Sequence, residues 1–301
     1  MQTLSDIRQL LSDRGLRPRK RFGQNFLHDQ NQIRKLVDAA DVTRGDLVLE
    51  VGPGTGALTE ALLDRGVNVI ACEIDRDLAA ILRERFGDQI NLIIGDCLKG
   101  QRELSDDVIS AIAGRPFTLV ANLPYQIASP LMAALLMDHP NCVGQFVTIQ
   151  KEVADRLVAK PHTKAYGPLS IIVQALAKVQ RIGTLSSSCF WPSPEVTSAM
   201  VSILPSPSGR GVRGEGAAVH SEGWTRPHPD PLPEGEGVDP AMPSNRRAFA
   251  RFITDLFTKR RKQLGTIFGR DRTNWPPGVT ADLRPEALDV GQLIELWKSS
   301  R

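Results

Sequence analysis

Short apolar runs recur through the first half of the chain, each ending in polar or glycine-rich residues: 46–51 (DLVLEV), 67–72 (VNVIAC), 90–94 (INLII), 117–121 (FTLVA) and 144–150 (GQFVTIQ). Stretches of helical periodicity lie among them, at 31–40, 58–63, 78–86 and 130–137. Strands that alternate with helices pair in parallel, because each crossover needs room for a helix. The pattern therefore predicts a doubly wound α/β sheet. In such a sheet ligands bind beyond the carboxyl ends of the strands, and the polar residues of these runs collect there.

The first run leads into Leu49-Glu50-Val51-Gly52-Pro53-Gly54-Thr55-Gly56. Glycines let the backbone turn tightly and approach a ligand with no Cβ in the way. Gly52, Gly54 and Ala57 also fit the dinucleotide pattern G-x-G-x-x-G/A. Glu73 follows the second run, 21 residues after Gly52, where a carboxylate can accept both ribose hydroxyls. A nicotinamide dinucleotide and S-adenosylmethionine both satisfy these features.

The next two strand ends separate the two cofactors. Asp96, after the third run, places a carboxylate where an adenine amine can donate to it. Asn122-Leu123-Pro124-Tyr125, after the fourth, matches the pattern Asp/Asn/Ser-x-Pro-Tyr/Phe of amino-methyltransferases. The exocyclic amine of adenine is a poor nucleophile because its lone pair is conjugated with the ring. If the Asn122 oxygen and the Leu123 carbonyl accept its two hydrogens, the lone pair is turned toward an incoming methyl group. Pro124 stiffens the turn and removes a competing donor. Tyr125 offers a face on which an extruded base can stack. The histidines show no metal-ligand spacing, and direct displacement needs neither a metal nor a protein nucleophile, so catalysis reads as positioning.

A net charge of +3 hides a strongly uneven distribution. Residues 1–24 carry a balance of +4, residues 246–272 one of +7, and the stretch 25–245 between them one of −7. Two basic segments around an acidic body suggest a polyanionic partner, although solvated helix faces carry such runs as well. Residues 205–243 hold eight Pro and seven Gly and predict an exposed, flexible insertion, with a proline-rich partner ligand as the other reading. Helical patterning resumes at 244–268, with Ser244 as a candidate cap and Phe249, Phe252, Ile253, Leu256 and Phe257 on one face. No apolar run approaches the ~20 residues of a membrane span, and the N-terminal stretch lacks a secretory pattern. The four cysteines have no Cys-x-x-Cys spacing. They read as thiols in a reducing compartment, so a cytoplasmic protein is expected.

These motifs, with GQNFL at 23–27, QKEVADRL at 150–157, YGPLS at 166–170, FWPSPEVTSA at 190–199 and RRKQL at 260–264, resemble the small-subunit ribosomal RNA adenine N6-dimethyltransferases (dimethyladenosine transferases). The likeness runs nearly the whole chain, in order, with 205–243 as its one large departure. It implies a Rossmann-like S-adenosylmethionine-dependent methyltransferase sheet followed by a small, mainly helical C-terminal domain. The expected organisation is a basic arm at 1–30, a methyltransferase domain at 31–204, the insertion at 205–243 and a basic helical RNA-contacting domain at 244–301. By motif position the resemblance implies that Asn25, Leu27, Gly52, Gly54, Glu73, Asp96 and Asn122 hold the cofactor. It further implies that Asn122, Leu123, Pro124, Tyr125 and Phe190 surround the target adenine, with Tyr125 and Phe190 flanking it.

The basic segments then gain a partner. Arg14, Arg17, Arg19, Lys20 and Arg21 on one side, and Arg246, Arg247, Arg260, Arg261 and Lys262 on the other, are expected to meet RNA phosphates. The resemblance implies dimethylation of two adjacent adenosines in a hairpin near the 3′ end of 16S ribosomal RNA. The small subunit or its precursor is the expected partner, and the enzyme is expected to act as a monomer. Two alternatives remain open: a large-subunit RNA adenine methyltransferase of the macrolide-resistance type, and a non-catalytic RNA-binding assembly factor on the same fold.

Overall fold

The structure is a computed structural model and describes residues 2–100, 102–206 and 245–300. Its centre is a seven-stranded sheet of β1 (Leu47–Val51), β2 (Asn68–Glu73), β3 (Ile90–Ile94), β4 (Phe117–Asn122), β5 (Cys142–Gln150), β6 (Ala177–Leu185) and β7 (Ser198–Pro205). The spatial order is β3-β2-β1-β4-β5-β7-β6. Strands β1 to β5 are parallel, and β7 runs antiparallel between β5 and β6. Every residue of β1 is buried, as both faces of a central parallel strand require. The direction of winding reverses between β1 and β4, which opens a crevice at their carboxyl ends. The chain therefore has the Rossmann-like α/β fold that its strand pattern implies.

All five expected runs are strands, with ends shifted by at most two residues. Two further strands of this sheet, β6 and β7, match none of the expected runs. The expected helix at 130–137 begins instead at Tyr125, as α6 (Tyr125–Asp138 in the chain order used below). Pro130 lies inside it and forfeits one helix bond, a loss of about 3 kcal/mol. Burial of Ala128, Leu131, Met132 and Leu135 against the sheet outweighs that loss, at roughly 1.5–3 kcal/mol for each large side chain.

Residues 1–30 are more than a basic arm. Helix α1 (Leu4–Ser12) starts at a capping box, with the Asp6 carboxylate accepting the Thr3 N–H at 2.7 Å. Its Ile7 and Leu11 pack with Phe26 and with Leu78 and Ile81 of α4 (Arg76–Phe86). The other helices beside the sheet are α2 (Gln30–Ala40), α3 (Ala57–Leu63), α5 (Asp106–Ile112), α7 (Lys151–Leu157) and α8 (Pro168–Leu176).

The C-terminal lobe contains α9 (Arg246–Thr258), α10 (Leu264–Phe268) and α11 (Val290–Lys298). Asn245 caps α9 by accepting the Ala248 N–H at 2.9 Å, the role expected of Ser244, which lies outside the described residues. Phe249, Ile253, Leu256, Leu293 and Trp297 form the core of this lobe, together with Tyr166 and with Ile171 and Ala175 of α8. The Pro/Gly-rich stretch lies outside the described residues from 207 onward, and its first residue, Pro205, still belongs to β7. No helix among the described residues is long and apolar enough to cross a membrane.

Candidate active site

The carboxyl ends of β1 to β4 open into a cavity of about 1160 Å³, lined among others by Asn25, Gly52, Glu73, Asp96, Asn122 and Tyr125. That is larger than most single-ligand pockets and has room for two nucleoside-sized groups side by side.

The glycine loop is shaped by close approach as well as by turning. Gly52 has φ +70°, and a Cβ there would lie 3.2 Å from Cγ and Cδ of Pro124. Gly54 has φ +62°, and a Cβ there would meet the Phe26 ring at 2.9 Å. Both positions thus exclude a side chain twice over. In this way the loop after β1 is pressed against the Asn-Leu-Pro-Tyr turn on one side and the N-terminal segment on the other.

Glu73 ends β2 and is buried, with its carboxylate oxygens accepting the Gly54 N–H at 3.0 Å and the Asp75 N–H at 2.9 Å. Each oxygen keeps a lone-pair position for a ligand hydroxyl. Burial pushes this carboxyl up to about 7, against the pull of those N–H groups. Glu50, at the end of β1, is buried as well and accepts the Thr59 hydroxyl at 2.7 Å. Burial pushes it up to about 8, and the Thr59 hydroxyl opposes the shift. Asp96 is exposed, with Oδ1 accepting the Leu98 N–H at 2.9 Å. Glu73 and Asp96 thus bring a buried and an exposed carboxyl to one cavity, acceptors that suit an adenosine-containing cofactor.

Asn122 ends β4, and its Nδ2 donates to the main-chain carbonyl of Asn25 at 3.0 Å. With the amide nitrogen committed, Oδ1 is the atom left to accept a substrate hydrogen. Leu123 is buried and its N–H donates to the Thr148 carbonyl on β5 at 3.1 Å. Pro124 precedes the first turn of α6, so the tetrapeptide is a strand-to-helix turn held at both ends. The half-buried Tyr125 hydroxyl lies 2.7 Å from Ser198 Oγ, and burial raises its pKa.

Phe190 departs from its expected place. It is 2% exposed, lies outside the cavity lining, and sits in the apolar cluster that holds Leu27 and Met200. Its main chain pairs with Leu27 in a short antiparallel ladder of Phe26–Leu27 with Phe190–Trp191. Phe190 therefore backs the wall that Leu27 presents to the cavity. A ring flanking a base is not what the structure shows.

Five of the ten basic residues expected at RNA hold protein partners, and two of these five, Arg14 and Arg247, are exposed as well. Arg14 pairs with Glu84, Arg19 with Asp75 and Asp77, Arg247 with Asp138 and Glu103, and Arg260 with Glu286. Arg246 donates to the Leu136 carbonyl at 2.6 Å. Arg17, Lys20, Arg21, Arg261 and Lys262 are exposed. Charge counting along the chain could not separate the two groups, because the acidic partners lie up to 144 positions away.

Sequence reasoning missed several cavity residues: Glu50, Ile74, Arg102, and Arg251 and Thr254 of α9. Arg251 was findable, standing one helical turn after Arg247 on the same face of α9. Its presence in the lining makes the C-terminal lobe one wall of the cavity. Among the described residues no cluster of His, Cys, Asp and Glu is arranged to hold a metal ion.

Comparison with known proteins places this geometry in a lineage. The chain is 42% identical over 206 residues to the ribosomal RNA small subunit methyltransferase A of Mycobacterium tuberculosis, covering 66% of this chain and 63% of that protein. It is 44% identical over 199 residues to the protein of the same name from Mycobacterium sp. (strain KMS), covering 66% and 68%. In fold it resembles a dimethyladenosine transferase from Plasmodium falciparum, with TM-score 0.64 and 23% identity over 90% of this chain and 95% of that one. It also resembles the 23S rRNA methyltransferase ErmE, with TM-score 0.60 and 22% identity over 91% and 98%. The family model for ribosomal RNA adenine dimethylase matches residues 15–209, across the N-terminal segment, the glycine loop, the Asn-Leu-Pro-Tyr turn and all seven strands. The chain belongs to the ribosomal RNA adenine dimethylase family.

Proposed function

We propose that this protein transfers methyl groups from S-adenosylmethionine to the exocyclic amines of two adjacent adenosines in a hairpin near the 3′ end of small-subunit ribosomal RNA. The observation that carries the reading is the Asn122 carboxamide, held by the Asn25 carbonyl so that its oxygen faces a cavity also lined by Glu73 and Asp96. When bound, S-adenosylmethionine supplies a methyl group activated by a sulfonium charge. The chain's residues do the rest by placement. Asn122 Oδ1 and the Leu123 carbonyl accept the two amine hydrogens, and Tyr125 stacks against the base. Leu27, Gly52 and Gly54 shape the cofactor side, while Glu73 and Asp96 bind its ribose and adenine.

The charge of the cavity favours this cofactor over a nicotinamide dinucleotide. Glu50 and Glu73 are buried carboxyls with raised pKa in one lining. A cationic ligand beside such a carboxyl favours its ionised form, whereas a pyrophosphate gains no donor from either. The exposed Arg17, Lys20, Arg21, Arg261 and Lys262 supply phosphate contacts that add affinity and salt dependence without choosing the base. The relatives named for the small subunit share 42–44% of their aligned residues with this chain, while the likeness to the 23S enzyme is one of fold.

The test is to incubate the protein with labelled S-adenosylmethionine and, separately, unmodified small subunits, large subunits and free RNA, then to map the label. Two adjacent dimethylated adenosines near the 3′ end of 16S RNA are expected. Label on large-subunit RNA, or on none, would overturn the reading. Asn122→Ala should lose transfer while still binding cofactor and RNA, an outcome that a non-catalytic assembly factor would not produce.

A further inference from the structure

Asp75 caps α4 two residues after Glu73 and is 3% exposed, yet three donors converge on its carboxylate. The Asp77 N–H and Arg19 Nη1 reach Oδ1 at 3.1 and 2.7 Å, and Gln24 Nε2 reaches Oδ2 at 2.8 Å. Gln24 Oε1 in turn accepts the main-chain N–H of Arg19 at 2.7 Å, and the second terminal nitrogen of Arg19 holds Asp77. The bonds close a ring from the Arg19 guanidinium through Asp75 and Gln24 back to the Arg19 main chain. One buried carboxylate thereby ties down both ends of residues 19–24.

Hydrogen bonds and chain continuity connect this ring to two residues of the cavity lining, Glu73 and Asn122. On one side the Asp75 N–H donates to Glu73 Oε1 at 2.9 Å. On the other, the residue after Gln24 is Asn25, whose carbonyl accepts from Asn122 Nδ2. The two ends of a carboxamide have nearly the same shape, so only hydrogen bonding decides which one faces the cavity. A flipped Asn122 would aim its amide hydrogens at an amine that must itself donate. The position of the Asn25 carbonyl therefore decides whether Asn122 can orient a substrate.

Apolar packing of Ile7 and Leu11 already docks α1 on α4. A half-buried ion pair adds little net stability over such packing, because desolvation offsets much of its Coulomb gain. What the ring supplies is direction, since a guanidinium and a carboxamide meet the carboxylate at fixed angles.

We propose that Arg19 and Gln24 are positioning residues for methyl transfer, and that their ring on Asp75 holds the Asn25 carbonyl where it orients Asn122, so that one anchor assembles the cofactor and adenine halves of the site. The assignment rests on the methyl-transfer reading above and removes Arg19 from the RNA-contacting set.

The test compares Arg19→Ala, Gln24→Ala, the double variant and Arg19→Lys with wild type, after denaturant melts establish that each is folded. The readouts are S-adenosylhomocysteine affinity by calorimetry, RNA affinity across a salt series, single-turnover transfer at saturating RNA and cofactor, and hydrogen exchange at residues 20–27. Both alanine variants should slow single-turnover transfer by ~10- to 100-fold, the scale of a misplacement of about 1 Å. They should also weaken S-adenosylhomocysteine binding several-fold and speed exchange at residues 20–27. The double variant should be no slower than the worse single one, because both act through one ring. Arg19→Lys should recover part of the rate, and RNA affinity should stay within about twofold of wild type.

The proposal fails if Arg19→Ala keeps the wild-type rate, or if the two alanine effects add. It fails equally if Arg19→Ala loses RNA affinity and about one unit of salt slope with its rate intact, as a phosphate contact would. If wild type transfers no methyl group to any ribosomal substrate, the methyl-transfer reading falls. Hydrogen exchange in Arg19→Ala then still decides whether the ring holds the segment.

Discussion

The side-chain amide of Asn122 donates to the main-chain carbonyl of Asn25 at 3.0 Å, across 97 positions of sequence. A strand end in the cavity lining is thus completed by a segment that precedes the whole sheet. The bond orders the amide before any ligand arrives, and loss of the N-terminal segment would leave Asn122 in place without a fixed orientation.

Asn122→Asp keeps an acceptor in the cavity but puts a carboxylate oxygen against the Asn25 carbonyl, where a donor is required. Methyl transfer should fall by about 100-fold or more. S-adenosylhomocysteine affinity should change far less than the rate. Single-turnover kinetics and calorimetry on one preparation check both, and a variant within threefold of the wild-type rate would contradict the assigned role.

Gly52→Ala introduces a Cβ at φ +70° and 3.2 Å from the Pro124 ring. The backbone conformation alone costs about 1–2 kcal/mol. The steric push falls on the Asn-Leu-Pro-Tyr turn, so cofactor affinity and transfer rate should drop together, beyond the loss of stability seen in urea melts. A variant with lower stability but unchanged transfer would show that the loop and the turn are not coupled.

Burial gives Glu73 and Glu50 folded-state pKa values of about 7 and about 8, above the ordinary carboxylate range. Between that range and about pH 8 the unliganded fold holds protons that the unfolded chain has released. Their contribution to stability is therefore full at acid pH and is lost as pH rises through about 8. The half-buried His139, its pKa lowered chiefly by burial, runs the other way at the acid end of this window. The difference between wild type and Glu73→Gln or Glu50→Gln in urea melts from pH 5 to 8.5 isolates the carboxyls. Wild type should lose ground to each variant as pH rises. Cofactor hydroxyls favour the ionised Glu73, so binding near pH 7 should release a proton, read by calorimetry in buffers of different ionisation heat. An identical enthalpy in every buffer would count against Glu73 as the ribose ligand.

Tyr166 is fully buried, and its hydroxyl donates to the Leu288 carbonyl at 2.9 Å. Tyr166→Phe leaves that carbonyl unsatisfied and should cost about 1–3 kcal/mol in urea melts. The unfolding transition should move without splitting. A second transition would show that the two lobes unfold separately.

Much of this molecule can be read from residue order, and the exceptions have physical causes. Strands β1, β2, β4 and β5 stand out because burial on both faces of a parallel sheet writes largely apolar runs such as LVLEV. Strand β6, AKVQRIGTL, lies at the sheet edge with most of its residues half-exposed, so Lys178, Gln180 and Arg181 interrupt any such run. Gly52, Glu73, Asp96 and Asn122 are legible as cavity residues because the position of a strand end is local to that strand. The burial of Phe190, the ion pairs of Arg19 and Arg247, and the entry of Arg251 into the cavity depend on segments far away in sequence. Short-range patterns carry no trace of them.

Helix α8 faces two interiors. Ile172, Val173 and Leu176 belong to the sheet core, while Ile171 and Ala175, with Tyr166 just ahead of the helix, belong to the core of the C-terminal lobe. The lobes are thus welded side to side by a helix that lies before the chain crosses from one to the other. Packing on α8 orients α9 among the described residues, and lengthening a closed loop raises its entropy cost only logarithmically. Extra chain length between positions 206 and 245 leaves that weld untouched, because Ile171 and Ala175 make it from a helix earlier in the sequence.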